Sequence, residues 1–218
     1  MVRYPNESDA YRAARRELLA EEIALRAQIE RVAALRRALP PGGQLQEDYA
    51  FAERVPQGDV TTRLSDLFGD HDELFVYSFM YGDGAACPMC TALLDGLDGQ
   101  VLHLRQRIAT AVVAKTSLDR IHAHAASRGW RRLRLLSSGG TTYNADYHGE
   151  IDGRQHTNAN VFHRADDGTI RHVWGAEMGF AQPEPGQNMR HVDALWPLWN
   201  VLDLTRGGRG DWYPRLTY

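Results

Sequence analysis

Three short apolar runs, separated by two segments with helical spacing, constrain this chain more than any other feature. The runs are residues 74–81 (LFVYSFMY), 108–114 (IATAVVA) and 133–137 (LRLLS), and their lengths are typical of buried strands. The segments between them, 91–106 and 117–128, have the apolar spacing and the end signals of helices. Strands that alternate with helices predict parallel crossover connections. This half of the chain should therefore be a β-α-β-α-β arrangement with a mostly parallel sheet.

Signals for the ends of helices are clear in two places. The sequence from residue 7 to 39 is rich in Ala, Leu, Glu and Arg with a near-helical apolar period, and the prolines and glycines at 40–43 end it. This segment predicts an amphipathic helix that packs on the domain or on a second subunit. Ser117 is the predicted N-cap of the second crossover helix, and Gly129 can end that helix.

Further elements flank the crossover half. Residues 160–164 and 169–174 lie on either side of a turn-rich Ala-Asp-Asp-Gly sequence at 165–168 and predict a β-hairpin. A short strand is expected near residues 49–54, and a last helix from about residue 191 to 202. The chain has 218 residues, 43% of them hydrophobic, which is enough for one sizeable core. We predict an N-terminal helical extension over 1–43 and one domain with a C-terminal extension over 44–218.

Composition excludes some classes of function. The formal net charge is −3 and the 25 basic residues are spread along the chain, so no basic stripe is present to bind nucleic acid. The N-terminal sequence lacks the apolar core of a secretory signal, and no stretch approaches the roughly 20 apolar residues of a membrane span. A cytoplasmic protein with no membrane partner is therefore expected. The cytosol is reducing, so two closely spaced cysteines there more often bind metal or cycle in redox chemistry than form a static disulfide.

The two cysteines of the chain, Cys87 and Cys90, lie between the first predicted strand and the first crossover helix. They could be a redox couple, half of a metal site, or ordinary core residues. At the start of a helix, the unpaired backbone N–H groups and the helix dipole stabilise a thiolate. The first hypothesis is therefore that Cys87 attacks a disulfide or a peroxide and that Cys90, one turn further on, resolves the product.

The order of these elements resembles a thioredoxin-like fold: strand, short loop, C-x-x-C, helix, a second crossover, a β-hairpin and a terminal helix. We therefore predict a three-layer α/β fold with a central mixed sheet, an N-terminal helix and a C-terminal extension. The chain is also similar to a bacterial thioredoxin-like family known as domain of unknown function 899. The matching stretches are 79–90, 128–130, 136–150 (LSSGGTTYNADYHGE), 170–177 and 190–213 (RHVDALWPLWNVLDLTRGGRGDWY). This resemblance implies the fold and no established activity.

The segment before the hairpin departs from ordinary thioredoxins, which have a cis-proline there. No proline occurs between Pro88 and Pro183, which puts exchange with protein disulfides in doubt. His156 lies at that place instead and could approach the two sulfurs. The arrangement is similar to copper-binding assembly proteins of the Sco type, although those have three residues between their cysteines. Cys87, Cys90 and His156 would suit copper(I), or zinc with a fourth ligand; alternatively, His156 could act as a base that activates Cys87.

For the other candidate residues, the sequence allows a structural interpretation as well as a functional one. Arg154 and Arg164 are candidates to bind a peroxide oxygen, or else surface residues. Tyr143, Asn144, Asp146, Tyr147 and His148 follow the third strand, where ligands commonly bind parallel sheets, but Asn and Asp also stabilise turns. Trp196 and Trp199 are spaced to share a helical face, with Pro197 tolerated only in a first turn or at a kink. Core packing is the first interpretation of the tryptophans, and a homodimer interface is the alternative.

The leading hypothesis is a thiol-dependent oxidoreductase or thiol peroxidase that acts on a small disulfide or peroxide with an unidentified electron donor and no cofactor. Cys87 and Cys90 are its expected catalytic residues. The second hypothesis is a copper- or zinc-binding protein that uses Cys87, Cys90 and His156. The third is an interaction protein that retains the fold without catalysis.

Overall fold

The strand β3 (Glu73–Ser78) is an interior strand of the main sheet in the structure, a computed structural model. The structure describes residues 3–82, 84–185, 196–208, 210 and 213–216. Every residue of β3 from Leu74 to Ser78 is buried. The strand pairs on one edge with a parallel neighbour and on the other with an antiparallel one. A strand that is paired on both edges and covered on both faces consists almost entirely of apolar residues. This explains the apolar run at 74–81 in the sequence.

The other elements surround this strand in chain order. The strands of the described residues are β1 (Ala50–Val55), β2 (Gly58–Arg63), β3, β4 (Ala109–Ala114), β5 (Leu135–Ser137), β6 (Glu150–Ile151), β7 (Arg154–Gln155), β8 (Asn158–Arg164) and β9 (Ile170–Gly175). The helices are α1 (Asp9–Arg37), α2 (Leu64–Leu67), α3 (Pro88–Leu104), α4 (Leu118–Arg128), α5 (Tyr143–Asp146) and α6 (Pro197–Asp203), with a 3-10 turn at Glu177–Gly179.

The described residues form a seven-stranded mixed sheet in the order β2-β1-β5-β4-β3-β8-β9, and β6 and β7 form a separate hairpin. β3, β4 and β5 are parallel to one another, as the crossover pattern predicts. β1, β2, β8 and β9 add antiparallel strands at the two sides. The predicted fold class, a mixed sheet in a three-layer α/β arrangement with an N-terminal helix, is confirmed.

The two faces of the sheet carry separate hydrophobic clusters, which we call the cysteine-side core and the opposite core. Alternate residues of β3 enter different clusters: Phe75 and Tyr77 enter the cysteine-side core, and Leu74 and Val76 enter the opposite one. The cysteine-side core also contains the following residues from α3, α4 and the α6 region: Cys87, Cys90, Leu93, Leu94, Ile121, Trp196 and Trp199. The opposite core contains large aromatic residues from β1, α2, α5 and β8: Tyr49, Phe51, Phe68, Tyr143 and Phe162.

Most predicted element boundaries agree with the structure to within a few residues. Ser117 is the N-cap of α4, its hydroxyl accepting the Arg120 N–H, and Gly129 follows the helix with a positive φ of 73°. α3 begins at Pro88, three residues before the apolar spacing indicates, because proline suits the first turn of a helix. The last helix is observed as Pro197–Asp203, and the predicted residues 191–195 lie outside the described part of the chain.

Residues up to Pro41 form a compact unit of their own. It contains α1, whose N-cap Ser8 accepts a hydrogen bond from the backbone of Tyr11. The predicted N-terminal helix is therefore present. Several of its apolar residues are at least half exposed, and these include Leu18, Ile23, Leu25, Ile29 and Leu35. The surface that covers them, whether of this domain or of a second subunit, stays a prediction.

Across the described residues, none of the helices combines the length and the apolar character that a bilayer span requires.

Asp98 ties α3 to the segment that leads into β5. Its carboxylate accepts hydrogen bonds from the backbone N–H groups of Arg131 (3.0 Å), Arg132 (2.8 Å) and Leu133 (3.1 Å). Burial alone would raise the pKa of Asp98, but these three donors outweigh it and hold the pKa below its ordinary value. The carboxylate therefore fixes the helix that carries the cysteines against the sheet.

We expect Asp98→Asn to lower the free energy of unfolding by about 2 kcal/mol at pH 7, because charge-assisted hydrogen bonds to three backbone donors are weakened. The folded-state pKa of Asp98 is depressed, so its contribution is present above the unfolded pKa of about 3.9 and is lost as the pH falls through the folded value. Urea unfolding at several pH values measures this. Asp70→Asn, at an exposed aspartate, should change stability by no more than about 0.5 kcal/mol. Equal stabilities of the two variants would contradict the assignment.

Candidate active site

The loop after β3 folds back on itself and places Cys87 at the start of α3. The backbone N–H of Cys87 donates to Met80 O at 3.1 Å, and Tyr81 and Ala86 form an isolated antiparallel bridge. Cys87 is the N-cap of α3, with extended backbone angles, and Pro88 is the first helical residue. The helix dipole and the free N–H groups of the first turn therefore point at the Cys87 sulfur.

The two thiols lie in different surroundings. Both cysteines are free, and Cys87 is 8% exposed whereas Cys90 is fully buried. A hydrogen bond from the Cys90 thiol lowers the pKa of Cys87 most, and the backbone N–H groups of Cys90 and Met89 and the hydroxyl of Tyr213 add to this. Burial opposes them, and the pKa of Cys87 is about 6. Burial, together with the neighbouring Cys87 sulfur, raises the pKa of Cys90 well above its ordinary value.

A buried phenol, which sequence reasoning missed, lies beside Cys90. Tyr77 on β3 is fully buried, and its hydroxyl hydrogen-bonds with the Cys90 sulfur. Thr157 Oγ1 lies 2.8 Å from this phenol oxygen. Burial keeps the pKa of Tyr77 well above its ordinary value, so the phenol stays protonated. The sequence signal was weak, because an aromatic residue in a buried strand ordinarily predicts packing alone.

The segment before β8 holds the cysteine loop through Gln155. Gln155 Oε1 accepts the Tyr81 backbone N–H at 2.8 Å, and its Nε2 donates to Lys115 O at 3.0 Å. The adjacent His156 has its Nδ1 2.7 Å from Thr157 O and its ring 5.0 Å from the ring of Phe180. His156 thus contacts Thr157 and Phe180, whereas Gln155 contacts the cysteine loop and Thr157 contacts Tyr77.

Within the described part of the chain, no three His, Cys, Asp or Glu side chains are grouped so that they could hold a metal ion. Cys87 and Cys90 lie together, and the predicted third ligand, His156, does not join them in such a group.

The arginine beside the cysteine loop is Arg120, which was not among the predicted candidates. Its Nη2 donates to Gly82 O at 3.0 Å, and its guanidinium lies 4.6 Å from the centre of the Tyr81 ring. Arg120 lies in the first turn of α4, and helices that follow parallel strands begin at the same edge of the sheet. That topological rule is the signal that could have identified it.

The two predicted arginines lie elsewhere. Arg164 donates to Gly69 O (2.8 Å) and His71 O (3.0 Å), and Asn158, not Arg164, pairs with the end of β3 that leads to the cysteines. Six residues of strand separate Arg164 from that end, roughly 20 Å. Arg164 therefore lies at the end of β8 that is remote from the cysteines, and its contacts there are structural. Arg154 is exposed on the small β6-β7 hairpin.

The cluster at 143–148 lies against the opposite core. Tyr143 and Asn144 are buried, and Asp146 accepts a hydrogen bond from the Tyr49 hydroxyl at 2.8 Å. Tyr147 O accepts hydrogen bonds from Asn158 and Asn160. These contacts support the interpretation in which Asn and Asp stabilise turns. The sheet separates Tyr143 from the cysteine-side core.

The two tryptophans pack on the same side of the sheet as the cysteines. Trp196 and Trp199 are each 3% exposed, and their rings meet edge to face with centroids 4.8 Å apart. Trp196 is the N-cap of α6 and Pro197 is its first residue, so the proline lies in the first turn. Trp196 also lines an apolar cavity of about 500 Å³ between α3 and α6. Both side chains therefore contribute to the core of this chain.

The domain has the thioredoxin-like fold, as its similarity to a solved structure shows. AhpC of Enterococcus faecalis aligns with 80% of this chain and 98% of its own, at 13% identity and a TM-score of 0.50. Reduced Prx3 of Vibrio vulnificus, solved with H2O2, covers 69% and 92% at 14% identity and a TM-score of 0.48. Peroxidoxin BcpB of Mycobacterium tuberculosis covers 61% and 82% at 18% identity and a TM-score of 0.42. Identities this low are informative about the fold alone.

The particular family follows from the sequence. The model of the family described as "Bacterial protein of unknown function (DUF899)" matches residues 1–217. The chain belongs to this family, as the resemblance at the motif stretches predicts. No curated protein matches the chain in sequence.

We expect the alkylation rate of Cys87 by iodoacetamide to rise with pH around a midpoint of about 6, because only the thiolate reacts. Quantifying the modified Cys87 peptide by mass spectrometry gives the profile. Cys90→Ala should raise the midpoint most and Tyr213→Phe less, since each removes a donor to the thiolate. Tyr4→Phe, at an exposed tyrosine of the N-terminal unit, is the control. A wild-type midpoint near the free-thiol value of about 8.5 would count against the site.

Proposed function

We propose that this protein is a thiol-dependent peroxidase in which Cys87 attacks a small peroxide and Cys90 resolves the product. The observation that carries the proposal is the position of Cys87 at the N-cap of α3, beside a second thiol. Hydrogen-bond donors around the Cys87 sulfur lower its pKa to about 6. At neutral pH such a sulfur is mostly thiolate, which is the nucleophilic form. The similarity to AhpC of Enterococcus faecalis supports the fold on which this chemistry is proposed.

Limited access to the sulfur favours a small substrate. Cys87 is 8% exposed, so a protein disulfide would have to reach a sulfur that is almost covered. The reacting group of a hydroperoxide consists of only two oxygen atoms, which suits a sulfur with such limited access. A small disulfide is the alternative substrate, and it would give a mixed disulfide with Cys87 in place of an oxidised sulfur.

The reaction balances without a cofactor. The Cys87 thiolate attacks one peroxide oxygen, the O–O bond breaks, and the leaving alkoxide or hydroxide takes up a proton; Cys87 becomes a sulfenic acid. Cys90 then loses its proton and attacks the Cys87 sulfur, an S–S bond forms, and hydroxide leaves as water. Two thiols are oxidised to a disulfide while the peroxide is reduced to an alcohol, or to water, together with one water. A thiol reductant, whose identity is unassigned, must then regenerate the pair.

We expect reduced protein to consume hydrogen peroxide and Cys87→Ser to lose essentially all of this activity. Cys90→Ser should still consume one equivalent and stop at the sulfenic acid, because its resolving thiol is gone. Peroxide loss and a sulfenic-acid-trapping reagent measure the two steps. Met178→Leu removes an exposed thioether that peroxide could oxidise, and it should consume peroxide like the wild type. Peroxide consumption by Cys87→Ser at the wild-type rate would contradict the proposal.

The copper or zinc hypothesis has a separate test. We expect protein purified without chelator to contain far less than one equivalent of either metal, because the described residues bring only two thiols together at this place. Elemental analysis of the wild type, Cys87→Ser and His156→Ala measures this. Stoichiometric metal that disappears in Cys87→Ser and falls in His156→Ala would favour the metal hypothesis instead.

A further inference from the structure

Full burial of Cys90 creates a problem for the resolving step. Cys90 has to lose a proton before it can attack Cys87, yet its sulfur is fully buried. Burial also raises the pKa of Cys90 well above its ordinary value, since a charged sulfur in an apolar core is costly. A proton cannot pass directly from this thiol to bulk water. The protein therefore needs polar groups that accept the proton and stabilise the thiolate.

Two hydroxyl groups lead away from the Cys90 sulfur. The Tyr77 hydroxyl hydrogen-bonds with Cys90, and Thr157 Oγ1 lies 2.8 Å from the Tyr77 oxygen. Thr157 Oγ1 is also 3.2 Å from Ser78 O, which can only accept. Tyr77 is fully buried, whereas Thr157 is partly exposed. The hydroxyls thus connect the buried thiol to a side chain near solvent.

We propose that Tyr77 and Thr157 form a hydroxyl relay that carries the proton of Cys90 from the buried thiol to the partly exposed side chain of Thr157. This inference rests on the proposed function, because it assigns residues to the resolving step of that reaction. Tyr77 touches a reacting sulfur and is therefore a catalytic residue in this scheme. Thr157 acts through Tyr77 and is a positioning residue.

The relay can satisfy its hydrogen bonds in both protonation states of Cys90. With Cys90 as a thiol, S–H donates to the Tyr77 oxygen, Tyr77 O–H donates to Thr157, and Thr157 O–H donates to Ser78 O. When the Cys90 proton moves to the Tyr77 oxygen, the phenol proton moves to Thr157 and one proton leaves Thr157 for water. The hydrogen bonds are then reversed: Thr157 donates to Tyr77, and Tyr77 donates to the thiolate. Neither hydroxyl keeps an extra proton, so the net result is the transfer of one proton from Cys90 to water.

The resulting thiolate attacks the sulfenic sulfur of Cys87, and hydroxide leaves and takes up a proton. Several other groups act on the same sulfurs. The backbone N–H of Met80 also donates to Cys90, and the titratable neighbours of Cys90 are Cys87, Tyr77 and Tyr213. Because the raised pKa of Tyr77 keeps its hydroxyl protonated, the phenol can donate to the thiolate throughout the working pH range.

The test separates the two steps of the reaction. Reduced protein is mixed with one equivalent of hydrogen peroxide over a range of pH, and peroxide loss and formation of the Cys87–Cys90 disulfide are followed separately. In Tyr77→Phe we expect the two steps to separate, because peroxide loss should slow much less than disulfide formation does. Disulfide formation should slow by about 100-fold, the lower range of general acid–base catalysis, with its pH midpoint displaced upward. Sulfenic acid should accumulate in this variant.

Matched variants separate the relay from packing. Tyr143→Phe makes the same change at another fully buried tyrosine, in the opposite core, and should resolve like the wild type. Thr157→Val removes the outer hydroxyl and should slow disulfide formation, whereas Thr157→Ser keeps the hydroxyl and should restore the rate. Thermal melting reports whether each variant folds. If Tyr77→Phe does not fold, the Thr157→Val and Thr157→Ser pair decides.

Disulfide formation at the wild-type rate and with the wild-type pH profile in both Tyr77→Phe and Thr157→Val would overturn the relay while leaving the proposed function intact. Wild-type protein that loses no peroxide and forms no disulfide would overturn the proposed function, and the relay with it.

Discussion

The interior strand β3 hydrogen-bonds along both of its edges, to β4 in parallel and to β8 in antiparallel register. Because adjacent side chains of a strand point to opposite faces, this double pairing sends Phe75 and Tyr77 toward the cysteine-side core. The same strand ends at Ser78, directly before the loop that carries Cys87. The pairing of this one strand therefore determines where the thiols lie. It also determines that Tyr77 lies next to the buried Cys90 thiol.

Opposite electrostatic surroundings distinguish two cysteines that lie only three positions apart. Cys87 faces the free N–H groups at the start of α3, and donors from Cys90, Met89 and Tyr213 outweigh the cost of its burial. Cys90 lies one turn further in, where burial dominates and keeps the thiol protonated. A low pKa on the outer sulfur and a high pKa on the inner one suit an attacking and a resolving role, respectively. The division of roles in the proposed function follows from this difference.

The structure gives the neighbours of His156 and the position of Arg164, which sequence position alone does not. His156 was selected because it precedes β8, but Gln155 and Thr157, its two neighbours, make the contacts with the cysteine loop and with Tyr77. Sequence position gives the segment, whereas the direction of each side chain depends on backbone geometry that one sequence does not reveal. Arg164 is a candidate to bind a peroxide oxygen from the sequence, but the antiparallel register places it at the remote end of β8. Arg120 lies near the site because α4, like α3, begins at the end of the parallel strands where the cysteine loop lies.

The sequence by itself determined the alternation of strands and helices over 74–137, the hairpin at 158–175, the location of both cysteines at the start of a helix, and the family. Burial of an apolar strand and the end signals of a helix are local properties, and they are legible in a few consecutive residues. Only the tertiary structure decided that Tyr77 lies beside Cys90, that Tyr213 lies beside Cys87, and that Thr157 contacts Tyr77. Tyr77 and Thr157 are 80 residues apart in the chain, and their contact depends on the register between β3 and β8. A contact of that kind is set by the packing of the whole sheet, for which no local pattern exists.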